Sequence, residues 1–338
     1  MDTQTLTVEA AIAAALAEEM QRDPRVLVFG EGVATKRRTL AEAFGPERVR
    51  NTPLAEAIIA GTAVGAAAMG LRPVIDLLFA PFLTLAMDAL VNSAGKLRYL
   101  SGGQFEFPLV AMAMTGSGWA VGGQHNHNLE ALFVHAPGLK VVMPSSAADF
   151  KGLLKTAIRE PNPVVFFTDL ALLHDTGEVP GGDHVVALGQ ARVLRRGRDV
   201  TLVSYAKTVA ECVAAAERLA ADGVQAEVID LRTLKPLDTA TVLASARRTG
   251  RVVVVHEAAA PCGVGAEIAA LVAEQAFGHL RAPVRRLTGP DAPAPASWML
   301  EQAGVPRADA IVKAVRDLLD PPAPPAAVGA AWGTALAG

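Results

Sequence analysis

Two groups of residues in this sequence are of a type and spacing that could do chemistry. The first is a lone carboxylate. In "NTPLAEAIIAGTAVGAAAMGLRP" (51–73), Glu56 is the only charged side chain between Arg50 and Arg72. A first-turn acid is favoured by the helix dipole, and that ordinary reading leads on the residues alone. The alternative is a carboxylate in a partly dry crevice at the end of a strand, facing a cofactor or a proton. The second group is His125 and His127 in the Gly-rich stretch "GWAVGGQHNHNLEALF" (118–133). Without nearby Cys or a clear carboxylate partner, this pair is a weak metal site. A loop histidine available for proton transfer or for holding an oxyanion stands level with an ordinary loop histidine.

Other familiar signals are missing or incomplete. There is no G-x-x-x-x-G-K-[ST], and no G-x-G-x-x-G opening a helix after a strand. "GVGAEI" (263–268) has only part of that glycine pattern, and close helix packing is its expected role. Ser101 and Ser117 lie beside glycines but in no nucleophile elbow. Cys212 and Cys262 are far apart, which implies incidental thiols and a reducing compartment.

The elements that must position these residues alternate in type. A chain of 338 residues, 51% hydrophobic and 19% charged, suits two globular domains. A net charge of -3 offers no basic field for nucleic acid. The opening "MDTQTLTVEAAIAAALAEEM" reads as an amphipathic helix, not a signal peptide, and no membrane span is predicted. The expected location is therefore cytoplasmic. Strands are predicted at 25–30, 72–79, 107–114, 139–144 and 162–168, with helices at 55–69 (packed on most sides), 83–99 and from Ser146 to Ile158. A turn-rich connection over 175–198 leads to strands at 199–205, 226–231 and 251–257, helices following them, and a last helix at 308–319. Hydrophobic strands separated by helices imply α/β architecture, with two doubly wound domains in series. The expected division is 1–185, 186–320 and a Pro/Ala-rich tail at 321–338.

Six ordered motifs then carry a resemblance: "FGPERVRNTPLAEAIIAG" (44–61), "ALVNSAGKLRYLSGGQF" (89–105), "GGQHNHNLEALFVHAPGLKVVMPSS" (122–146), "KGLLKTAIREPNPVVFF" (151–167), "EVIDLRTLKPLD" (227–238) and "VVVVHEA" (252–258). From about Thr5 to Leu319 the chain resembles the beta subunit of the decarboxylating first component of 2-oxo acid dehydrogenase complexes. These are transketolase-like thiamine diphosphate enzymes of the pyruvate, branched-chain and acetoin types. The resemblance implies a pyrimidine-binding first domain and a transketolase C-terminal-like second domain. It implies that Glu56 bonds a ring nitrogen of the thiamine aminopyrimidine, that Leu54 and Phe82 pack on that ring, and that His125 serves acyl transfer to a lipoyl group. It also implies a potassium position at Leu109, Ala157, Glu160 and Asn162. The "GDG" motif that anchors Mg²⁺ and diphosphate is missing, so an alpha subunit is implied to supply it in an α₂β₂ heterotetramer. A dihydrolipoyl acyltransferase core is the further partner implied.

The sequence departs from the family pattern in three places. "GEGVATKRRTLAEAF" (30–44) is several residues shorter, Asn126-His127-Asn128 follows His125 in place of Ser-Gln, and Thr168-Asp169 replaces a usual acidic residue. These departures motivate a second reading, a split transketolase-like acyl- or ketol-transfer enzyme without a lipoyl partner. A third reading is a scaffold subunit with a decayed site, against which Glu56, Phe82 and His125 together argue.

Overall fold

The structure is a computed structural model that describes residues 3–320; the tail at 321–338 lies outside the described residues. Its strands are β1 (Thr3–Thr7), β2 (Val26–Glu31), β3 (Val49–Thr52), β4 (Arg72–Phe79), β5 (Val110–Thr115), β6 (Lys140–Val142) and β7 (Val164–Asp169). They continue with β8 (Thr176–Pro180), β9 (Arg192–Arg195), β10 (Val200–Ser204), β11 (Ala226–Asp230), β12 (Thr233–Lys235), β13 (Val252–Ala259) and β14 (Arg285–Gly289). A seven-stranded sheet has the order β12-β6-β7-β5-β4-β2-β3, and a five-stranded sheet the order β14-β13-β10-β11-β9. Both are parallel except at one edge, where β12 runs antiparallel to β6 and β9 antiparallel to β11. β7, β10 and β11 are buried along their whole length, because helices cover both faces of each sheet.

Local chemistry sets the helix starts. Thr7 Oγ1 accepts the Ala10 N–H at 3.1 Å and opens the helix Val8–Arg22. Ser146 Oγ accepts the Asp149 N–H at 3.2 Å and opens Ala147–Arg159, as the sequence predicts. The two helices pack together on one face of the large sheet. On its other face, Ile59, Ala63, Leu139, Val141 and Leu234 of β12 share a single core with Val203, Tyr205 and Ile229 of the second domain. In "GVGAEI", a Cβ at Gly265 would lie 2.4 Å from His256 Nε2, so this glycine does serve close packing.

The structure corrects several expectations. The connection 175–198 holds two strands: β8 pairs with β1, and β9 edges the second sheet. Between the strand at 226–231 and the helix expected after it, residues 233–235 form a further strand that crosses back to edge the first sheet. The single helix expected at 83–99 is divided into a 3₁₀ turn at Ala80–Thr84, a π segment at Asp88–Ala94 and an α segment at Gly95–Leu100. The last junction lies where the chain crosses itself, since a Cβ at Gly138 would sit 1.7 Å from the Gly95 carbonyl oxygen. The strand expected at 107–114 begins only at Val110, after Pro108, which has no N–H to donate.

An Asp repeats in three strands, at the last residue of β7 and β11 and at the register break within β4. Asp76, Asp169 and Asp230 each accept the N–H two residues on, from Leu78 (3.1 Å), Ala171 (3.0 Å) and Arg232 (3.0 Å). Asp230 also accepts the Ser145 hydroxyl, tying the two sheets together. Burial pushes Asp230 up to about 7; Ser145 and Arg232 pull it down, and nearby Asp149 adds to the rise. A carboxyl raised in the folded state holds its proton to higher pH than in the unfolded chain. Its contribution to stability is therefore complete below its ordinary value of 3.8 and is lost as pH rises through about 7. Asp230→Asn removes that loss, so its Tm relative to the parent is expected to climb between about pH 5 and pH 8. Thermal melts across that range check this, and a pH-independent difference would refute it.

Candidate functional site

The first sheet delivers the candidate residues to one end. Glu56 begins the helix Glu56–Ala68 just after β3, Phe82 follows β4, and His125 lies on the loop after β5. All three strands are parallel, so all three residues sit at the carboxyl end, where open α/β sheets form crevices.

Phe82 and His125 meet directly. The imidazole lies edge-on between two phenyl rings, with centroids 5.1 Å from Phe79 and 5.3 Å from Phe82. Phe79 was not foreseen as a site residue. It is aimed by a break in strand register between Asp76 and Phe79, where Leu78 takes φ +61. That left-handed conformation is strained for leucine. Asp76 stabilises it by accepting the Leu78 N–H, and is itself held by Arg37 at 3.2 Å and Lys36 at 3.3 Å. Burial raises the Asp76 carboxyl, but Arg37 and Lys36 outweigh it and hold the group below the usual range. Both cations come from the 30–44 segment, which folds into two short helices, Val33–Lys36 and Arg38–Phe44. These residues border a cavity of about 380 Å³ at the ends of β4 and β5, shared with Phe79 and Trp119.

Glu56 is half-buried, and its helix shows two different faces. Ile59, Ala60, Ala63, Val64 and Ala67 are buried in the core, whereas Ala57, Ile58, Gly61, Thr62, Gly65 and Met69 are exposed. The expectation of a helix packed on most sides is therefore corrected within this chain. A helix of small and apolar residues has no polar stripe to mark which side faces away from the core. Leu54 beside it is 67% exposed.

The four residues of the implied potassium position also come together, at the opposite end of the sheet. The Leu109 carbonyl accepts Val164 N–H at 2.8 Å and the Ala157 carbonyl accepts Glu160 N–H at 3.3 Å. The Glu160 carboxylate is ion-paired to Lys140 at 2.8 Å, and Asn162 Oδ1 accepts from Arg98 at 2.9 Å. His127 is exposed, and among the described residues no group of His, Cys, Asp and Glu is placed to hold a metal.

A charged cluster from both domains backs the histidine loop, and sequence reading missed it. Lys207 Nζ donates to the Ser117 carbonyl and hydroxyl, and pairs with Glu257 at 2.6 Å and Asp169 at 3.5 Å. Glu257 accepts the Ser117 N–H at 2.7 Å. Gly116, at φ +81, leaves room for them, since a Cβ there would meet Glu257 Oε2 at 2.9 Å. Burial pushes the Asp169 carboxyl up, the Lys207 ammonium pulls it back, and Glu257 adds to the rise. Glu257 lies in the quoted motif "VVVVHEA", but no spacing rule ties it to Ser117, 140 positions earlier.

Lys207→Met would leave two carboxylates facing each other with no cation between them. The expected cost is about 3–5 kcal/mol in urea unfolding, the scale for removing one partner of a buried ion pair. Adding Glu257→Gln to that variant should restore part of it. A cost near zero would show that the cluster carries no net charge balance.

The family models for "Transketolase, pyrimidine binding domain" and "Transketolase, C-terminal domain" match residues 4–174 and 189–311. The chain is 43% identical over 317 residues to the pyruvate dehydrogenase E1 component subunit beta of Rickettsia felis, covering 92% of this chain and 97% of the relative. It is 42% identical over 327 residues to the acetoin:2,6-dichlorophenolindophenol oxidoreductase subunit beta of Cupriavidus necator, covering 92% and 96%. Among solved structures it matches a "Split gene transketolase, inactive beta4 tetramer" with a TM-score of 0.78 at 29% identity, covering 93% of this chain and 98% of that one. Whole-length identity at this level, together with the two matched domains, establishes that the chain belongs to the transketolase-like family of thiamine diphosphate enzymes that includes the pyruvate dehydrogenase E1 beta subunits.

Proposed function

We propose that this chain is the beta half of a two-subunit thiamine diphosphate-dependent 2-oxo acid dehydrogenase, acting on pyruvate or a branched-chain 2-oxo acid and passing the acyl group to a lipoyl domain. The observation that carries this reading is the convergence of the Glu56 carboxylate and the Phe79–His125–Phe82 aromatic group on one end of the sheet. These residues suit one half of the cofactor. A carboxylate accepts a hydrogen bond from a ring nitrogen, and Leu54 and Phe82 offer apolar surface to an aromatic ring. When bound, thiamine diphosphate supplies the carbon nucleophile and the electron sink for decarboxylation.

The chain's own residues act around that chemistry. Glu56 polarises the aminopyrimidine through its ring nitrogen, an effect that grows as water is excluded. His125, held edge-on between two rings, presents an imidazole for proton movement during acyl transfer. Water exclusion at Glu56 needs a second chain, because Leu54 and Ile58 beside it are 67% and 70% exposed. An alpha subunit seated on the open face of the Glu56–Ala68 helix would provide it, in an α₂β₂ assembly. Nothing lies within 4 Å of an added Cβ at Gly61 or Gly65, so another backbone can approach closely there. That subunit would also hold Mg²⁺ and the diphosphate. The second domain would face the dihydrolipoyl acyltransferase core. No step is assigned to potassium: Lys140 and Arg98 already occupy the side-chain oxygens of Glu160 and Asn162, and a cation there would rest on carbonyls. No helix among the described residues is long and apolar enough to cross a membrane.

The relatives favour a second reading equally closely, an acetoin-cleaving enzyme, and the split-gene transketolase likeness supports ketol transfer without a lipoyl partner. One experiment separates the three. The chain is co-purified with its alpha subunit and assayed with thiamine diphosphate, Mg²⁺ and an artificial electron acceptor. The substrates are pyruvate, branched 2-oxo acids, 2-oxobutyrate and acetoin. Lipoyl-domain acylation is measured in parallel. Glu56→Gln is expected to lower turnover by about 100-fold or more, the scale of a lost preorganised electrostatic contact, with fold and assembly intact. Retained turnover in that variant would sink the assignment of Glu56, and turnover without lipoyl acylation would favour the transferase reading.

A further inference from the structure

The loop from Gly116 to Asn128 carries His125. It borders a cavity of about 290 Å³ lined by Ser117, Asn126, His127, Glu257 and Glu301, and an adjoining one of about 660 Å³ flanks Gly122, Gly123 and Gln124. Where the loop faces these cavities it has few side chains to pack on, so polar bonds contribute to its shape.

Three of the loop's polar bonds lead to one side chain. Glu301, on the short helix Trp298–Ala303 of the second domain, is only 3% exposed. Its carboxylate accepts the N–H of Gly118 at 3.0 Å, the N–H of Ala120 at 3.1 Å and the Asn126 side-chain amide. Ala120 sits at φ +52, a strained conformation for alanine that this bond compensates. Asn126 is itself buried, its Oδ1 has no partner among the described residues, and Glu301 orients its amide. Asn126 is the residue next to His125, and asparagine there is one of this chain's departures from its family's pattern. A buried carboxylate needs several donors, and three N–H groups of one loop supply them here.

We infer that Glu301 is the positioning residue for His125: it latches the histidine loop to the second domain through Gly118, Ala120 and Asn126, and so holds the imidazole between Phe79 and Phe82. This rests on the proposed role of His125 in acyl transfer. Glu301 touches neither cofactor nor substrate and acts through the loop. A carboxylate from the second domain thus sets the competence of a histidine on the first.

The test uses the assembled alpha–beta enzyme with Glu301→Gln, His125→Ala and the double variant. Glu301→Gln is expected to lower lipoyl-domain acylation by about tenfold or more and decarboxylation with an artificial acceptor by at most about threefold. The double variant should be no worse than His125→Ala, because residues acting through one another are not additive. Equal loss in both assays, or additive losses in the double variant, would reduce Glu301 to a structural clamp and overturn the inference. Asn126→Ala, which removes the amide and leaves no side-chain donor, must move the same ratio in the same direction; an unchanged ratio also overturns it. Amide hydrogen exchange supplies a readout independent of the reaction. Exchange at Gly118 and Ala120 should speed up by about tenfold or more in Glu301→Gln, consistent with local opening of the loop. Unchanged exchange refutes the latch whatever the acceptor is. A parent enzyme that does not acylate a lipoyl domain would refute the proposed function instead, and exchange alone would then decide the latch.

Discussion

The charge balance around Lys207 is the constraint on which the arrangement depends. Its ammonium lies between Asp169 of the first domain and Glu257 of the second, and it also binds Ser117 at the root of the histidine loop. Buried carboxylates of like charge cannot both ionise at this distance without a cation, and a buried cation is costly without them. Each domain therefore completes the other's electrostatics. The loop leaves the first sheet at the point where that exchange occurs.

The two sheets are joined by more than contact. β12 leaves the second domain to become the edge of the first sheet, and the Ser145–Asp230 bond lies close to that crossing. One hydrophobic core runs through both. Asp169 and Asp230 each end a strand, and Asp76 breaks the register within β4, by accepting the N–H two residues on. Asp76 does this where the chain turns left-handed and re-aims Phe79 at the imidazole. The 30–44 segment contributes here as well, since its Lys36 and Arg37 steady Asp76.

The open face of the Glu56–Ala68 helix fits the same logic. Its small residues pack one side into the core and leave an equivalent apolar side free. Apolar residues without periodic contrast are readable as core, but only the fold tells which core they belong to, and here one side lies outside the chain.

The sequence by itself determined the alternation of strands and helices, the helix cap at Ser146, the packing role of Gly265, and the candidates Glu56, Phe82 and His125, the last three through ordered motifs. These signals are local, set by dihedral preferences, hydrophobic period and short-range capping, or by residue order along the chain. The tertiary structure alone decided that β12 would edge the other domain's sheet, that residues 83–99 would divide around the Gly95–Gly138 crossing, and that Phe79 would join His125. It also decided that Glu257 and Glu301 would hold a loop some 140–183 positions earlier. Contacts of that separation leave no period or spacing in a single sequence, because they are fixed by which buried charges and donors the completed fold brings within bonding distance.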